Sequence, residues 1–188
     1  MSVFRAEAAP REILVSTNLG LRVMAANLNG NSQKIEPFAI RIFQGLKPDI
    51  VAIQEFNYSN NTPAHIRSFI DTAFGTNFNY YRESGAGYDI PNGIISRFPI
   101  LTNATWDDPQ IPNRGFAWAL LDVPGPNELY IVSVHLKASS GDASVRSLEA
   151  AALRGLIQSN FPANAWIVLA GDCNLQSRSE AALTTLKT

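Results

Sequence analysis

The chain has 188 residues, long enough to bury a sizeable core and short enough for one domain. An apolar fraction of 46% and a charged fraction of 16% exclude an intrinsically disordered chain. A formal net charge of -1 disfavours a nucleic-acid binder that relies on bulk positive charge, so any contact with phosphate must be local. With Cys173 as the only cysteine, no intrachain disulfide can form.

The N-terminal stretch MSVFRAEAAPREILVSTNLG is interrupted by charged side chains. It has no continuous apolar segment, so we predict no secretory signal and interpret residues 1–20 as a leader before a domain over 21–188. No stretch approaches the roughly 18 uninterrupted apolar residues of a membrane span. The sequence does not indicate the compartment.

The first half of the chain predicts alternating strands and helices. LRVMAANL (21–28) and IVAIQ (50–54) are typical of buried strands. The segment between them, 35–46, predicts a helix whose buried face comprises Ile35, Phe38, Ala39, Ile42 and Phe43. Thr62 followed by Pro63 predicts a capped helix that continues to about Phe74. Strands are expected over 78–82 and 92–96.

The second half predicts a hairpin over 116–123 and 128–136. A helix follows over 144–160, with Leu148, Ala151, Ala152, Gly155 and Leu156 at helical spacing. The segment 165–170 predicts the last strand. In SRSE, Ser177 and Glu180 fit a capping box that would start a final helix, which is a structural role for Glu180.

Polar or ionisable side chains stand at the C-terminal ends of the predicted buried strands. They are Asn27, Asn29, Glu55, His135, Asp172 and Asn174. Glu55 and His135 are poor turn formers, so an ordinary strand exit does not explain them. In a single sandwich these groups could meet at one rim. There the carboxylates of Glu55 and Asp172 would suit Mg²⁺ or Mn²⁺, which bind oxygen ligands.

Simpler interpretations compete at several positions. Asn27 and Asn29 could be turn residues, and His135 could be a hydrogen-bonded core histidine. Asn92 could contact substrate or belong to a turn. Arg114 and Arg97 could bind phosphate or be solvated. We expect Cys173 to point away from Asp172 into the core, and no G-x-S-x-G motif supports a serine hydrolase.

Five segments, MAANLNG, IVAIQEF, NGIISRFPI, IVSVHLKAS and LAGDCN, resemble in this order the motifs of the endonuclease/exonuclease/phosphatase superfamily, which has the DNase I-like fold. The resemblance covers residues 21–176. It implies an α/β fold, a four-layer α/β/β/α sandwich. The implied function is Mg²⁺- or Mn²⁺-dependent hydrolysis of a phosphodiester or phosphomonoester, of nuclease or phosphatase type, with nucleic acid among the substrate classes.

The resemblance also implies roles for individual residues. Glu55 matches the principal metal-ligand glutamate of the family, and Asn27 and Asp172 are further candidate metal ligands. Asn27 also resembles the first-strand asparagine that contacts the metal-bound phosphate. His135 matches a histidine that contacts the scissile phosphate. Asp172 and Asn174 match the GDxN pair, which positions water or metal and the phosphate. Asn29 stands where relatives carry an acid, so its role is the weakest.

One departure from the family is the lack of a late histidine. Relatives typically end in a strand with an Asp-His pair, whereas no histidine follows His135. We therefore expect a C-terminally incomplete sandwich and an impaired enzyme. Two alternatives remain open: a non-catalytic phosphate-binding relative or truncated remnant, and a different hydrolase on a similar sandwich.

Overall fold

Two four-stranded sheets pack face to face in this computed structural model, which describes residues 20–29 and 35–187. The first sheet has the order β1–β2–β4–β3 and comprises β1 (Val23–Asn27), β2 (Ile50–Gln54), β3 (Asn79–Arg82) and β4 (Gly93–Ser96). The second has the order β5–β6–β7–β8 and comprises β5 (Ile100–Asp107), β6 (Gly115–Leu121), β7 (Leu129–His135) and β8 (Trp166–Asp172). β1 is parallel to β2 and β7 is parallel to β8, while the other neighbours are antiparallel.

Helices cover the outer faces of both sheets. A π-helical turn over Ile35–Ala39 leads into α1 (Ile40–Leu46), followed by α2 (Pro63–Phe74), α3 (Ala143–Asn160) and α4 (Ala181–Lys187). α1 and α2 pack on the first sheet through Phe43, Ile66 and Phe69, and α3 packs on the second through Leu153. These layers confirm the predicted α/β/β/α sandwich. Within the described ranges, no helix has both the length and the apolarity to cross a membrane.

The apolar run of β2 reflects burial on both faces of its sheet. Val51 and Ile53 join the core under α1 and α2, while Ile50 and Ala52 join the core between the sheets. Neighbouring residues of a strand face opposite sides, so a sheet covered on both sides needs an uninterrupted apolar strand. At the end of this strand, Gln54 Nε2 donates to Ser133 Oγ at 2.9 Å across the two sheets.

The buried faces of two helices differ from the prediction. Ile40 and Phe43 of α1 are buried, whereas Ile42 of α1 is 52% exposed and Phe38 of the preceding π-helical turn is 68% exposed. The π-helical turn before Ile40 breaks the regular 3.6-residue spacing on which the prediction depended. In α3, Leu148 is 55% exposed. The buried residues of α3 are Arg146, Glu149, Ala150 and Leu153.

The two predicted helix starts have different outcomes. α2 begins as predicted, with Thr62 Oγ1 accepting the His65 N–H at 3.3 Å. α4 begins only at Ala181, so Ser177 does not cap it, and the Glu180 carboxylate pairs with Arg146 instead. Strand β5 was not predicted. The leader predicted over 1–20 lies, except for Gly20, outside the described residues.

Candidate active site

The predicted rim residues are brought together by the two parallel strand pairs. Asn27 ends β1 beside Gln54 of β2, and Glu55 follows directly. In the second sheet, His135 and Asp172 are partners in the register of β7 and β8. Parallel strands end at the same edge of a sheet, so each pair delivers two side chains to one end. The two sheets place both ends at the same rim.

Asn27 forms the link between the sheets. Its Nδ2 donates to Glu55 Oε1 at 3.2 Å and to Asp172 Oδ2 at 3.0 Å. His135 Nε2 lies 4.0 Å from Glu55 Oε1 and 3.9 Å from Asp172 Oδ2. Two carboxylates from opposite sheets therefore face one amide and one imidazole.

Three of the predicted rim residues adopt left-handed backbone conformations. Glu55 has φ 50°, Asn174 has φ 49° and Asn29 has φ 57°. For a residue with a Cβ this costs on the order of 1–3 kcal/mol and persists only where surrounding contacts hold it. Asn174 has such contacts, because its N–H donates to Asp172 Oδ1 at 3.0 Å and its Nδ2 donates to Leu136 O at 2.9 Å. The Asn174 amide nitrogen is thus already engaged in joining the β7 and β8 loops.

His135 is uncharged at neutral pH in this environment. The residue is 6% exposed, and burial lowers the pKa of its imidazole to about 4, with a further lowering by the Arg114 guanidinium and a smaller opposing effect of Asp172. A neutral imidazole has one N–H donor and one acceptor nitrogen. Nδ1 is buried without a partner among the described residues, whereas Nε2 faces the two carboxylates.

Asn92 and Arg114, the predicted substrate contacts, have partners within the protein in this structure. Asn92 is fully buried and its Nδ2 donates to Gly115 O at 2.7 Å. Arg114 is 6% exposed, and its guanidinium donates to the carbonyl oxygens of His135 and Leu136. Both side chains donate to backbone carbonyl groups behind the rim, and Arg114 Nη1 also donates to Asn113 Oδ1 at 3.1 Å.

The remaining predicted positions have structural surroundings. Asn29 is a turn residue whose N–H donates to Asn27 Oδ1 at 2.7 Å. Arg97 lies near the opposite end of the first sheet, 3.2 Å from Asp49, and lines a cavity of about 540 Å³ that contains no rim residue. Cys173 packs against the core under α3, as expected.

The sequence reasoning missed the buried charged residues behind the rim. Glu83, Arg146 and Glu149 are each 0% exposed. Burial raises the pKa of Glu83 and of Glu149 to about 7 each. The signal for the α3 pair was the spacing of Arg146 and Glu149, which places them one turn apart on one helical face. This spacing was overlooked because charged side chains usually face solvent.

The oxygen atoms of the rim match the ligand chemistry of a hard divalent cation. Asn27 Nδ2 lies between two carboxylate oxygens, an environment of negative potential that also suits a small cation with its water ligands. In the part of the chain that the structure describes, no group of three or more His, Cys, Asp or Glu side chains is arranged around a metal position. Glu55 and Asp172 would therefore supply only part of a ligand set.

Comparison with known proteins supports the same fold. The structure of humanized D. rerio TDP2 carrying 14 mutations has a TM-score of 0.68 and 20% identity, covering 88% of this chain and 66% of that one. D. rerio TDP2 complexed with single strand DNA product gives 0.64 and 21%, covering 89% and 64%. An endonuclease/exonuclease/phosphatase family protein from Leptotrichia buccalis C-1013-b gives 0.65 and 15%, covering 88% and 71%.

The present chain spans about two thirds of the length of the two D. rerio TDP2 structures. No curated protein matches the sequence. The model of the Endonuclease/Exonuclease/phosphatase family matches residues 24–187, which includes every rim residue described above. The chain belongs to the endonuclease/exonuclease/phosphatase family.

Proposed function

We propose that this protein is a divalent-metal-dependent phosphoesterase that hydrolyses a phosphodiester or phosphomonoester. The observation that supports this most directly is the convergence of Glu55 and Asp172 on Asn27, with His135 Nε2 within 4.0 Å of both carboxylates. Members of this family are generally hydrolases of phosphate esters. The rim combines proton acceptors, a neutral donor and cation ligands, which this reaction requires.

Glu55, Asp172 and Asn27 are the residues that would hold the cation. When bound, Mg²⁺ or Mn²⁺ supplies positive charge that stabilises negative charge developing on the phosphoryl group. Asn27 would offer its amide oxygen, which in this structure accepts the Asn29 N–H at 2.7 Å.

The chain's own groups would carry the proton transfers. Asp172 accepts a proton from water as the water oxygen attacks phosphorus, and the ester P–O bond breaks while the leaving oxygen takes a proton from solvent. The Asn174 N–H holds Asp172 Oδ1 at 3.0 Å, which leaves Oδ2 directed at the rim. His135, neutral because its pKa is about 4, donates its Nε2–H to the phosphoryl oxygen.

Hydrolysis of bis-p-nitrophenyl phosphate with Mn²⁺ or Mg²⁺ tests the proposal. Asp172→Asn should lower kcat about 100-fold or more, because it removes both the proton acceptor and one of the carboxylates that would hold the cation. Asp122→Asn is the matched control, since Asp122 follows β6 at the far end of the second sheet. A wild-type chain without turnover, or an Asp172→Asn variant with the wild-type rate, would contradict the proposal.

A non-catalytic phosphate-binding protein is the second candidate. It is favoured by the absence of a three-residue His, Cys, Asp or Glu metal group among residues 20–29 and 35–187. Calorimetry with Mn²⁺ and a non-hydrolysable phosphonate separates the candidates, because the second predicts binding without hydrolysis. A single-stranded oligonucleotide belongs in the substrate panel, since a TDP2 neighbour was solved with single strand DNA product.

A further inference from the structure

The loop that follows β7 is held by side chains from several other elements. We call residues 136–139 the His135 loop, because they follow His135, the last residue of β7. Arg114 donates to His135 O and Leu136 O, and Asn174 also donates to Leu136 O. Glu149 accepts the Lys137 N–H with both carboxylate oxygens, at 2.9 and 3.1 Å. The backbone of this loop is therefore fixed by specific polar contacts.

Arg146 joins this loop to a second loop. Its Nη1 donates to Lys137 O at 2.9 Å and to Ser139 O at 2.7 Å. Its Nε and Nη2 donate to the two carboxylate oxygens of Glu180, at 2.8 and 2.9 Å. Glu180 Oε1 also accepts the Gln176 N–H at 2.7 Å. One guanidinium thus binds the His135 loop and the segment 176–180 that follows Asp172 and Asn174.

The packing of α3 does not by itself explain why Arg146 is buried. Arg146 is 0% exposed, and desolvation of a guanidinium is often not recovered relative to a well-packed apolar side chain. Ala150 and Leu153 already provide apolar contacts for α3. Ser139, a contact of Arg146, has φ 89°, a conformation that non-glycine residues adopt only under external constraint. The planar five-donor fork suits the joining of two loops more than it suits packing.

We propose that Arg146 is a positioning residue for the hydrolytic rim. It binds the His135 loop and, through Glu180, the loop after β8. The β7–β8 pairing sets the separation of His135 and Asp172, and Arg146 fixes the loop backbone that follows each of them. The proposal rests on the proposed phosphoesterase function for its kinetic part only. Its structural part concerns the environment of His135 and can be measured without turnover.

The test combines kinetics with nuclear magnetic resonance of the histidine rings in the full chain. The sequence contains only two histidines, His65 and His135, so their imidazole resonances can be assigned by substitution. Spectra are recorded metal-free at one pH for wild type, Arg146→Met and Arg154→Met. Arg154 lies on the same helix and lines a separate cavity with Ile157 and Leu169, so its variant is the matched control.

Arg146→Met should displace or broaden the His135 resonance and leave that of His65 unchanged. It should lower kcat about 10- to 100-fold with a change of KM below about threefold, as for residues that orient catalytic groups. The thermal midpoint of unfolding is measured for each variant as well. Arg146→Lys keeps the positive charge that faces Glu180 but lacks the planar fork of donors. It should therefore have a higher thermal midpoint than Arg146→Met, while its kcat stays as low. Arg154→Met should match wild type in the His135 resonance, in kcat and in the thermal midpoint.

A wild-type His135 resonance together with a kcat within about threefold of wild type in Arg146→Met would overturn the proposal. Rescue of kcat by Arg146→Lys would also overturn it, because charge alone would then suffice. If Arg146→Met does not fold, Glu180→Gln replaces it, with the same expected His135 shift and the same contradicting result. If wild type lacks turnover, the phosphoesterase proposal fails, and the His135 resonance still decides the positioning role.

Discussion

His135 Nε2 lies 3.9 Å from Asp172 Oδ2, across the parallel pair of strands β7 and β8. The two residues are 37 positions apart by number, yet each is the last residue of its strand and each is the other's partner in the register. The helix α3 connects the strands and returns the chain to the same edge, which is the usual geometry of a parallel crossover. The closeness of an imidazole and a carboxylate at the rim therefore follows from the strand pairing.

Removal of the Glu55 carboxylate should weaken cation binding. We expect Glu55→Gln to lower the affinity for Mn²⁺ at least about tenfold in calorimetry, because carboxylates are the principal ligands of such cations. The control is Glu128→Gln, because Glu128 is exposed and directly precedes β7, at the opposite end of this strand from His135. Equal affinity of wild type and Glu55→Gln would remove Glu55 from the ligand set.

Gly171 should tolerate no side chain. It has φ 153°, and a Cβ at this position would overlap the carbonyl oxygen of Val134 on the neighbouring strand. We expect Gly171→Ala to lower the free energy of unfolding by about 3 kcal/mol in urea titrations, since both backbone strain and overlap oppose it. Gly155→Ala on α3, where a Cβ meets nothing within 4 Å, should instead stabilise by up to about 1 kcal/mol. Similar small effects of both substitutions would contradict the predicted overlap.

The hydrogen bonds between the sheets should contribute measurably to stability. Ser133 Oγ accepts from Gln54 Nε2 and donates to Ile53 O, both at 2.9 Å. Ser133→Ala leaves the buried Gln54 amide nitrogen unpaired and should cost about 1–3 kcal/mol of unfolding free energy. Ser68→Ala on the exposed side of α2 should change it by less than about 0.5 kcal/mol. A loss from Ser133→Ala no larger than that of the control would show that water replaces the lost contacts.

The stability of the protein should contain a pH-dependent contribution from Glu83. Burial raises the pKa of this carboxyl from 4.5 to about 7, although it accepts N–H groups of Asn92 and Gly115. The folded pKa exceeds the unfolded one, so this contribution is fully present below pH 4.5 and is lost as the pH rises through about 7.

Glu83→Gln, which resembles the protonated acid, should therefore gain on wild type as the pH rises. The difference in unfolding free energy, variant minus wild type, should increase by up to about 3 kcal/mol between about pH 5 and about pH 8. It is measured by urea titration at several pH values. A flat difference for Glu83→Gln would mean that Glu83 stays ionised in the folded protein.

Local sequence patterns predicted most of the strands. IVAIQ (50–54) coincides with β2, and the predicted hairpin corresponds to β6 and β7. These strands are covered on both faces, so their apolar character is continuous and visible without a partner. Strand β5, ILTNATWD, lies at the edge of its sheet with Leu101 60% exposed. Its mixed pattern carried no such signal, because an edge strand is only partly buried.

Helix faces required the tertiary structure. Hydrophobic spacing in α3 pointed to Leu148, Ala151, Ala152, Gly155 and Leu156 as the apolar face. The structure instead buries Arg146 and Glu149 on that helix. Hydrophobic periodicity assumes that burial follows apolarity. It fails where buried carbonyl and N–H groups of another segment, here Lys137 and Ser139, provide hydrogen bonds for charged side chains.

The sequence by itself was sufficient to predict which residues form the rim. Each of them stands at the end of a recognisable apolar strand: Asn27, Glu55, His135 and Asp172. Their contacts were decided by the packing of the two sheets. Asn27 and Asp172 are separated by 145 residues, and only the face-to-face arrangement of β1 and β8 brings the amide within 3.0 Å of the carboxylate. The same packing gave Asn92 and Arg114 backbone partners in place of a substrate. A sequence pattern specifies which side of a strand or helix a residue occupies, whereas the partner it meets there depends on chain segments far away.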